Sequence, residues 1–231
     1  MKTSIIATWD AFLALEPEWN DLLVRTRAAS IFLTWEWIDC WRKVLPNPVK
    51  PLVITIRDGE GTLCGIAPYY MSSLRFMKVL RYTSLRVLGD SASGAEYADW
   101  IVDPNSEPDI CRAIAEALYE CADAWDSVWM PRMASWTGAR SRAADSMCAA
   151  GFKVHVRDSD FSAIALPSSV EEFENSFSTK RRQRMRRDKR RFDAMDGVEY
   201  VACRSQDELP EFLHALFDLH ERRWRSIEQS G

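Results

Sequence analysis

The densest chemistry in this chain runs from Lys180 to Arg191. It holds nine basic residues and one acid, Asp188, a net of +8 in a chain whose total is −4, so the other residues carry −12. A compact basic element on an acidic body points to an anion or an acidic partner: a phosphorylated small molecule, a nucleic acid or a membrane surface. The charge is confined to about three helical turns, whereas a nucleic-acid domain usually spreads it over a whole face. The plain alternative is a solvated helix face. On a helix Lys180, Arg181, Arg184 and Arg187 fall within one arc and suit phosphate oxygens.

A second group is Glu96, Tyr97 and Asp99. Residues 96–102 read as a strand, which puts Tyr97 and Asp99 on one face and Glu96 on the other. A carboxylate and a phenol side by side can orient an amine or a sugar hydroxyl, or act as a general base. A strand end with solvated acids and a half-buried tyrosine is the competing reading. Trp35 and Trp37, with Trp41, can stack on a sugar or a base, but their spacing along a helix also fits core packing. His214 and His220 are six apart and do not share a helical face, so no metal site is expected. No Ser/His/Asp or Cys/His constellation assembles.

The elements around these groups follow from periodicity and punctuation. Ser4–Thr8 is a short strand, Asp10 is placed to cap a first helix, and Pro17 suits the start of a second whose Trp19, Leu22 and Leu23 share a face. Thr34 is a good N-cap for a helix over 35–45 with Trp37, Trp41 and Val44 as its apolar stripe. Strands over 51–57 and 63–71 flank the turn Asp58-Gly59-Glu60-Gly61. Residues 74–88 hold a strand or an irregular excursion, and 89–94 a loop. Helices are expected over 108–124 and 137–150, the latter closed by Gly151, with a buried strand over 127–130 between them. Strands over 152–157 and 161–166 come next. A helix over 170–177, the basic helix, a strand over 198–204 and a last helix ending near Trp224 complete the pattern. The fold class is α/β, a mixed β-sheet with helices on both faces.

Length and 47% hydrophobic content suffice for one large domain or two smaller ones. Six scattered cysteines without a C-x-x-C argue for reduced thiols in a cytoplasmic protein. The apolar run in the first ten residues is too short for a signal peptide, and no stretch reaches the ~18 apolar residues of a membrane span.

Several motifs occur in a telling order: Phe32-Leu33-Thr34-Trp35-Glu36-Trp37 with Trp41, the hairpin Gly61-x-Leu63-x-Gly65-Ile66-x-Pro68, Gly89 followed by Glu96-Tyr97-x-Asp99, then Leu166-Pro167 before the basic helix and Leu219-His220-x-x-Arg223-Trp224. Together they resemble the CelD-like proteins of cellulose and exopolysaccharide biosynthesis. These are GNAT-type acyltransferases related to the tandem-GNAT FemAB transferases. The resemblance implies two GNAT-like units, the first over 1–158 and the start of a second over 159–231 (basic helix, strand, helix). It implies N-acetyltransferase or acyltransferase chemistry, from acetyl-CoA or acyl-CoA to an amine or hydroxyl acceptor. In that architecture the basic helix lies near the cleft between units.

The pyrophosphate of CoA is usually cradled by a glycine-rich turn after the fourth strand. Here residues 103–109 have no glycine, two prolines and three acids, so the usual loop is not expected in this chain. The sequence stops soon after a helix whose apolar face has nothing later in the chain to pack on. A fragment, inactive as 231 residues and prone to self-association through its last helix, is therefore expected. Two other readings stay open: a FemAB-like aminoacyl transferase using charged tRNA, and a non-enzymatic binding module.

Overall fold

Alternation along three long strands builds the centre of the molecule. In a computed structural model, described for all residues except 28, 77–79, 91–94, 135–136, 159–166, 200 and 229–231, β1 (Lys2–Ile6), β2 (Lys50–Arg57), β3 (Leu63–Phe76) and β4 (Leu80–Val87) form an antiparallel meander. The short β5 (Ile101–Val102) also pairs with β3, and β6 (Ser127–Trp129) joins β4 in parallel, so the sheet is mixed. The turn between β2 and β3 forms as its residues predict. Asp58 Oδ1 accepts the Glu60 and Thr62 N–H groups at 2.9 Å each, and Gly61 takes a φ of +89°.

Neighbouring strand residues feed opposite faces. Val53, Ile66 and Tyr70 pack under α1 (Trp9–Leu13), α2 (Glu16–Arg25) and α3 (Trp35–Val44), while Ile54, Ile56 and Tyr69 pack under α4 (Glu107–Glu120) and α5 (Ala139–Ala149). Trp19 is fully buried on the first face and gives its indole N–H to the Leu33 carbonyl at 2.8 Å. Gly65 lets α4 sit on the backbone of β3, since a Cβ there would lie 2.3 Å from Ile110 Cγ2. Gly151 adopts φ +99° just past α5, the left-handed cap its position predicts.

Several local expectations change. Thr8, not Asp10, caps α1, accepting from the Ala11 N–H. Thr34 does cap α3, but the buried arc is Trp35, Ile38 and Trp41; Val44 is 77% exposed and Trp37 only half-buried. Packing of Trp35, Ile38 and Trp41 into the core sets the rotation of the helix, and position 44 is left in solvent. Residues 95–100 form no strand, so only the last two positions of the expected 96–102 strand enter the sheet. Residues 152–157 are also not a strand; Phe152 packs its ring on Tyr119 and Trp125 instead. The strand expected over 161–166 lies outside the described residues.

The chain divides into two units, Met1–Ser162 and Ala163–Gly231. The second holds α6 (Val170–Asn175), α7 (Thr179–Asp193) and α8 (Leu209–Glu228). Ser169 and Ser178 cap α6 and α7 through their hydroxyls. The strand expected over 198–204 does not form among its described residues. A strand's N–H and C=O groups need a neighbouring strand to satisfy them, and among the described residues every strand belongs to the sheet of the first unit. On α8, Leu213, Leu216, Phe217 and Trp224 are all exposed, and the Trp224 indole N–H donates to His220 Nε2 at 2.9 Å. No helix among the described residues is long and apolar enough to cross a membrane.

Candidate functional site

The most chemically loaded part of the first unit is an interruption in one edge of β3. Val87 pairs with Tyr69, and the Leu88 N–H reaches the Pro68 carbonyl at 2.8 Å. The pairing then stops. It resumes when Ile101 comes opposite Ile66 and Val102 opposite Gly65, and the Asp103 N–H bonds the Cys64 carbonyl at 2.9 Å. β4 and β5 are thus two halves of one antiparallel partner of β3. Between them the described residues belong to no strand and carry Asp90 at the exit and Asp99 at the return.

Asp90 is held by a tyrosine of β3, and Asp99 by the backbone of Trp100, whose indole reaches the neighbouring tyrosine. Tyr70 donates its hydroxyl to Asp90 Oδ1 at 2.8 Å, and Arg86 Nε donates to Asp90 Oδ2 at 2.8 Å. The Asp90 carbonyl accepts the Trp41 indole N–H at 3.1 Å. Burial raises the Asp90 carboxyl above its usual range, against the pull of Tyr70 and Arg86, and burial raises the Tyr70 hydroxyl too, helped by Asp90. On the other face Trp100 donates its indole N–H to the Tyr69 hydroxyl at 2.6 Å. The Trp100 backbone N–H donates to Asp99 Oδ1 at 2.7 Å.

Asp99 is 4% exposed. Burial pushes its carboxyl up to about 7; the Trp100 N–H, Arg142 and Thr137 act the other way, and Glu107 adds to the rise. It lines a recess with Thr26, Arg27, Glu107, Cys111 and Arg142. Arg142 Nε pairs with Glu107 Oε1 at 2.5 Å, so α4 and α5 meet beside it through an ion pair. Burial also pushes the Cys111 thiol up to about 12, which makes it a poor nucleophile. A carboxyl that titrates near neutrality can take a proton from an acceptor and return it, the requirement for general acid–base work.

Glu96, Tyr97 and Asp99 are not brought together. Tyr97 has φ +61°, and its N–H donates to the carbonyl of Arg132, which is itself at φ +53°. These are two non-glycine residues in a left-handed conformation. That backbone breaks the alternation on which a shared Tyr97–Asp99 face depended. Tyr97 is partly exposed near Phe32, and Glu96 lies 3.8 Å from Arg132. Of the three, only Asp99 is enclosed. Trp35 is buried, its ring stacked on Phe12 at 5.8 Å, with no face left for a ligand. Trp37 packs edge-on against Phe32 and against Gly89, where a Cβ would lie 3.1 Å from its indole nitrogen.

The turn over 103–109 uses its own donors. Asp103 Oδ1 accepts the Asn105 N–H and side-chain Nδ2, both at 3.0 Å, and the carboxylate pairs with Arg25. Ser106 makes no side-chain cap, and Glu107 and Asp109 fill the first turn of α4. An anion brought here meets a resident carboxylate. Sequence reasoning missed Asp90, Tyr69, Tyr70, Glu107 and Arg142. The Tyr69-Tyr70 pair and the Arg86/Asp90 spacing were the available signals, but nothing local says that a loop acid is buried. Among the described residues no cluster of His, Cys, Asp or Glu could hold a metal.

On α7 the cations surround the helix. Arg184 and Arg187 approach Asp188 at 3.6 and 3.5 Å, and Lys189 pairs with Asp193 at 2.6 Å. Arg181 lies over the Phe177 ring, 4.1 Å from its centroid, so it is turned away from Lys180, Arg184 and Arg187.

Residues 179–230 match the family model described as the acetyltransferase (GNAT) domain. Two solved structures, a point mutant and a tetramutant of the BH1408 protein from Bacillus halodurans, are similar over 71% of this chain and 100% of theirs. Each has a TM-score of 0.41, at 12% and 13% identity respectively. No protein of curated function matches the chain.

Proposed function

We propose that the protein serves GNAT-type acyl transfer, moving an acyl group from acetyl-CoA or another acyl-CoA to an amine or hydroxyl acceptor. The observation that carries this reading is the match of residues 179–230 to the GNAT acetyltransferase domain. The CelD-like resemblance adds a polysaccharide precursor as the acceptor class. It also makes residues from about 159 onward part of a second GNAT-like unit. The turn over 103–109 suits the donor poorly, because Asp103 Oδ1 accepts the Asn105 N–H and Glu107 and Asp109 stand in the first turn of α4. Within the first unit, Asp99 is the proton-handling group, enclosed and titrating near neutrality.

The test is incubation of the protein with isotopically labelled acetyl-CoA and a panel of amine and sugar-hydroxyl acceptors. Acceptor-dependent label transfer would carry the reading against the expectation of an inactive chain, and Asp99→Asn should then reduce it by roughly two orders of magnitude if Asp99 is the base. No transfer, together with CoA binding that vanishes at physiological salt, would overturn the reading. Transfer from charged tRNA without CoA binding would put the FemAB-like alternative in its place.

A further inference from the structure

Helical phase places eight of the nine cations of α7 in two groups of four, with Arg181 between them over the Phe177 ring. Lys180, Arg184, Arg187 and Arg191 are spaced four, three and four residues apart, which stacks them in one row. All four are exposed. Lys180 and Arg191 have no partner among the described residues, and Arg184 and Arg187 share the single carboxylate of Asp188 at 3.6 and 3.5 Å. The other face is more fully engaged. Arg182 bonds Asn175 at 3.0 Å, Arg186 approaches Glu174 at 3.9 Å, Lys189 pairs with Asp193 at 2.6 Å, and Arg190 Nε bonds the Arg186 carbonyl at 3.3 Å.

We propose that the row Lys180–Arg184–Arg187–Arg191 is a binding face for the phosphate backbone of a nucleic acid. The row runs over eleven residue steps, about 16 Å of helix. That length exceeds a single phosphate or pyrophosphate group, so the four cations suit successive phosphates of one polyanionic strand. A lone pyrophosphate engages one or two of them and leaves the rest without a ligand. A lipid surface fits less well. The apolar residues between the two cationic faces are Met185 and Phe192, 38% and 46% exposed, while an interfacial helix needs a broad apolar face to bury. Contacts of this kind are read through charge, independent of base sequence. The inference does not rest on acyl transfer, because its readout is binding with no acyl donor present.

The experiment is fluorescence anisotropy of a labelled 20-nucleotide RNA and a 20-base-pair DNA duplex with the whole chain, from 50 to 200 mM salt. Four phosphate contacts predict a slope of log K against log salt of about −3 on the single strand and nearer −4 on the duplex. Changing the row together (K180Q, R184Q, R187Q, R191Q) should cost at least tenfold in affinity at 50 mM salt and flatten the slope. The charge-matched control (R182Q, R186Q, K189Q, R190Q) should lose markedly less. Circular dichroism confirms that both variants keep their helix content. Equal losses in the two variants would mean diffuse attraction and overturn the proposal. So would the absence of binding to either oligonucleotide at 50 mM salt, or binding only to vesicles containing phosphatidylserine.

Discussion

In Met1–Ser162 the acids at the centre of the site are inside: Asp90 and Asp99 are each 4% exposed. In Ala163–Gly231 the nine cations of α7 stand at or near the surface, all exposed except the half-buried Arg182. Both regions are rich in charge, and the physics differs. A carboxyl removed from water is governed by what replaces the water, so Asp90 and Asp99 rise above the usual range and each is tied to named donors. A guanidinium on an exposed helix is governed by its phase on the helix and by salt. The first kind of charge supports proton chemistry at one point. The second supports attraction spread along a row.

The widest gap between the regions should appear on truncating a tryptophan. Trp19→Ala removes a fully buried ring and strands the Leu33 carbonyl, and should cost about 3–5 kcal/mol in urea unfolding followed by fluorescence. Trp224→Ala, at a ring 52% exposed, should leave the same transition where it was. Equal shifts would break the contrast between a packed unit and an open one. Next comes Asp90→Ala, which leaves Tyr70 and Arg86 without their shared acceptor and should cost about 3 kcal/mol. A loss below one kcal/mol would show that this carboxylate is not the anchor described.

The pH dependence of Asp99 sharpens the comparison further. Its carboxyl titrates near 7 in the folded state, against an ordinary value of 3.8. The folded protein therefore holds the proton longer than the unfolded chain. The stabilisation is complete below about pH 4, falls as pH rises, and is gone above about 7. The slope in that window is at most about 1.4 kcal/mol per pH unit. Subtracting the stability curve of Asp99→Asn from that of the wild type should isolate this fall; a flat difference between pH 4 and 7 would refute it. The smallest effect concerns the caps. Thr34→Ala should cost the first unit about 1 kcal/mol. Ser178→Ala should lower α7 helicity, read by circular dichroism, without moving the main unfolding transition.

Much of the framework was legible in residue order. The turn over 58–61, the Thr34 cap, the Gly151 cap and the basic helix each depend on interactions within a few residues, and a sequence displays those directly. The mixed sheet with helices on both faces also followed, because the near-continuous apolar run over 51–57 marks a strand covered on both sides and the spacing in 108–124 a helix with one buried face. Reading failed where a partner distant in sequence decides. Residues 198–204 have strand composition and no strand beside them among the described residues. Tyr97 has strand neighbours in sequence, but its N–H is fixed by the Arg132 carbonyl in a left-handed turn.

The candidate site divides along the same line. Sequence alone named Asp99 as a carboxylate of interest and placed Lys180, Arg181, Arg184 and Arg187 on one arc from residue type and helical period; the structure sets Arg181 apart, over Phe177. Only the tertiary structure separated Asp99 from Glu96 and Tyr97, paired Asp90 with Tyr70 and Arg86, and set the Arg142–Glu107 ion pair beside the recess. It also set Asp103 Oδ1 against the Asn105 N–H in the turn over 103–109. Local spacing fixes the phase of a helix, while burial and the pKa that follows from it depend on elements tens of residues apart closing over one carboxyl.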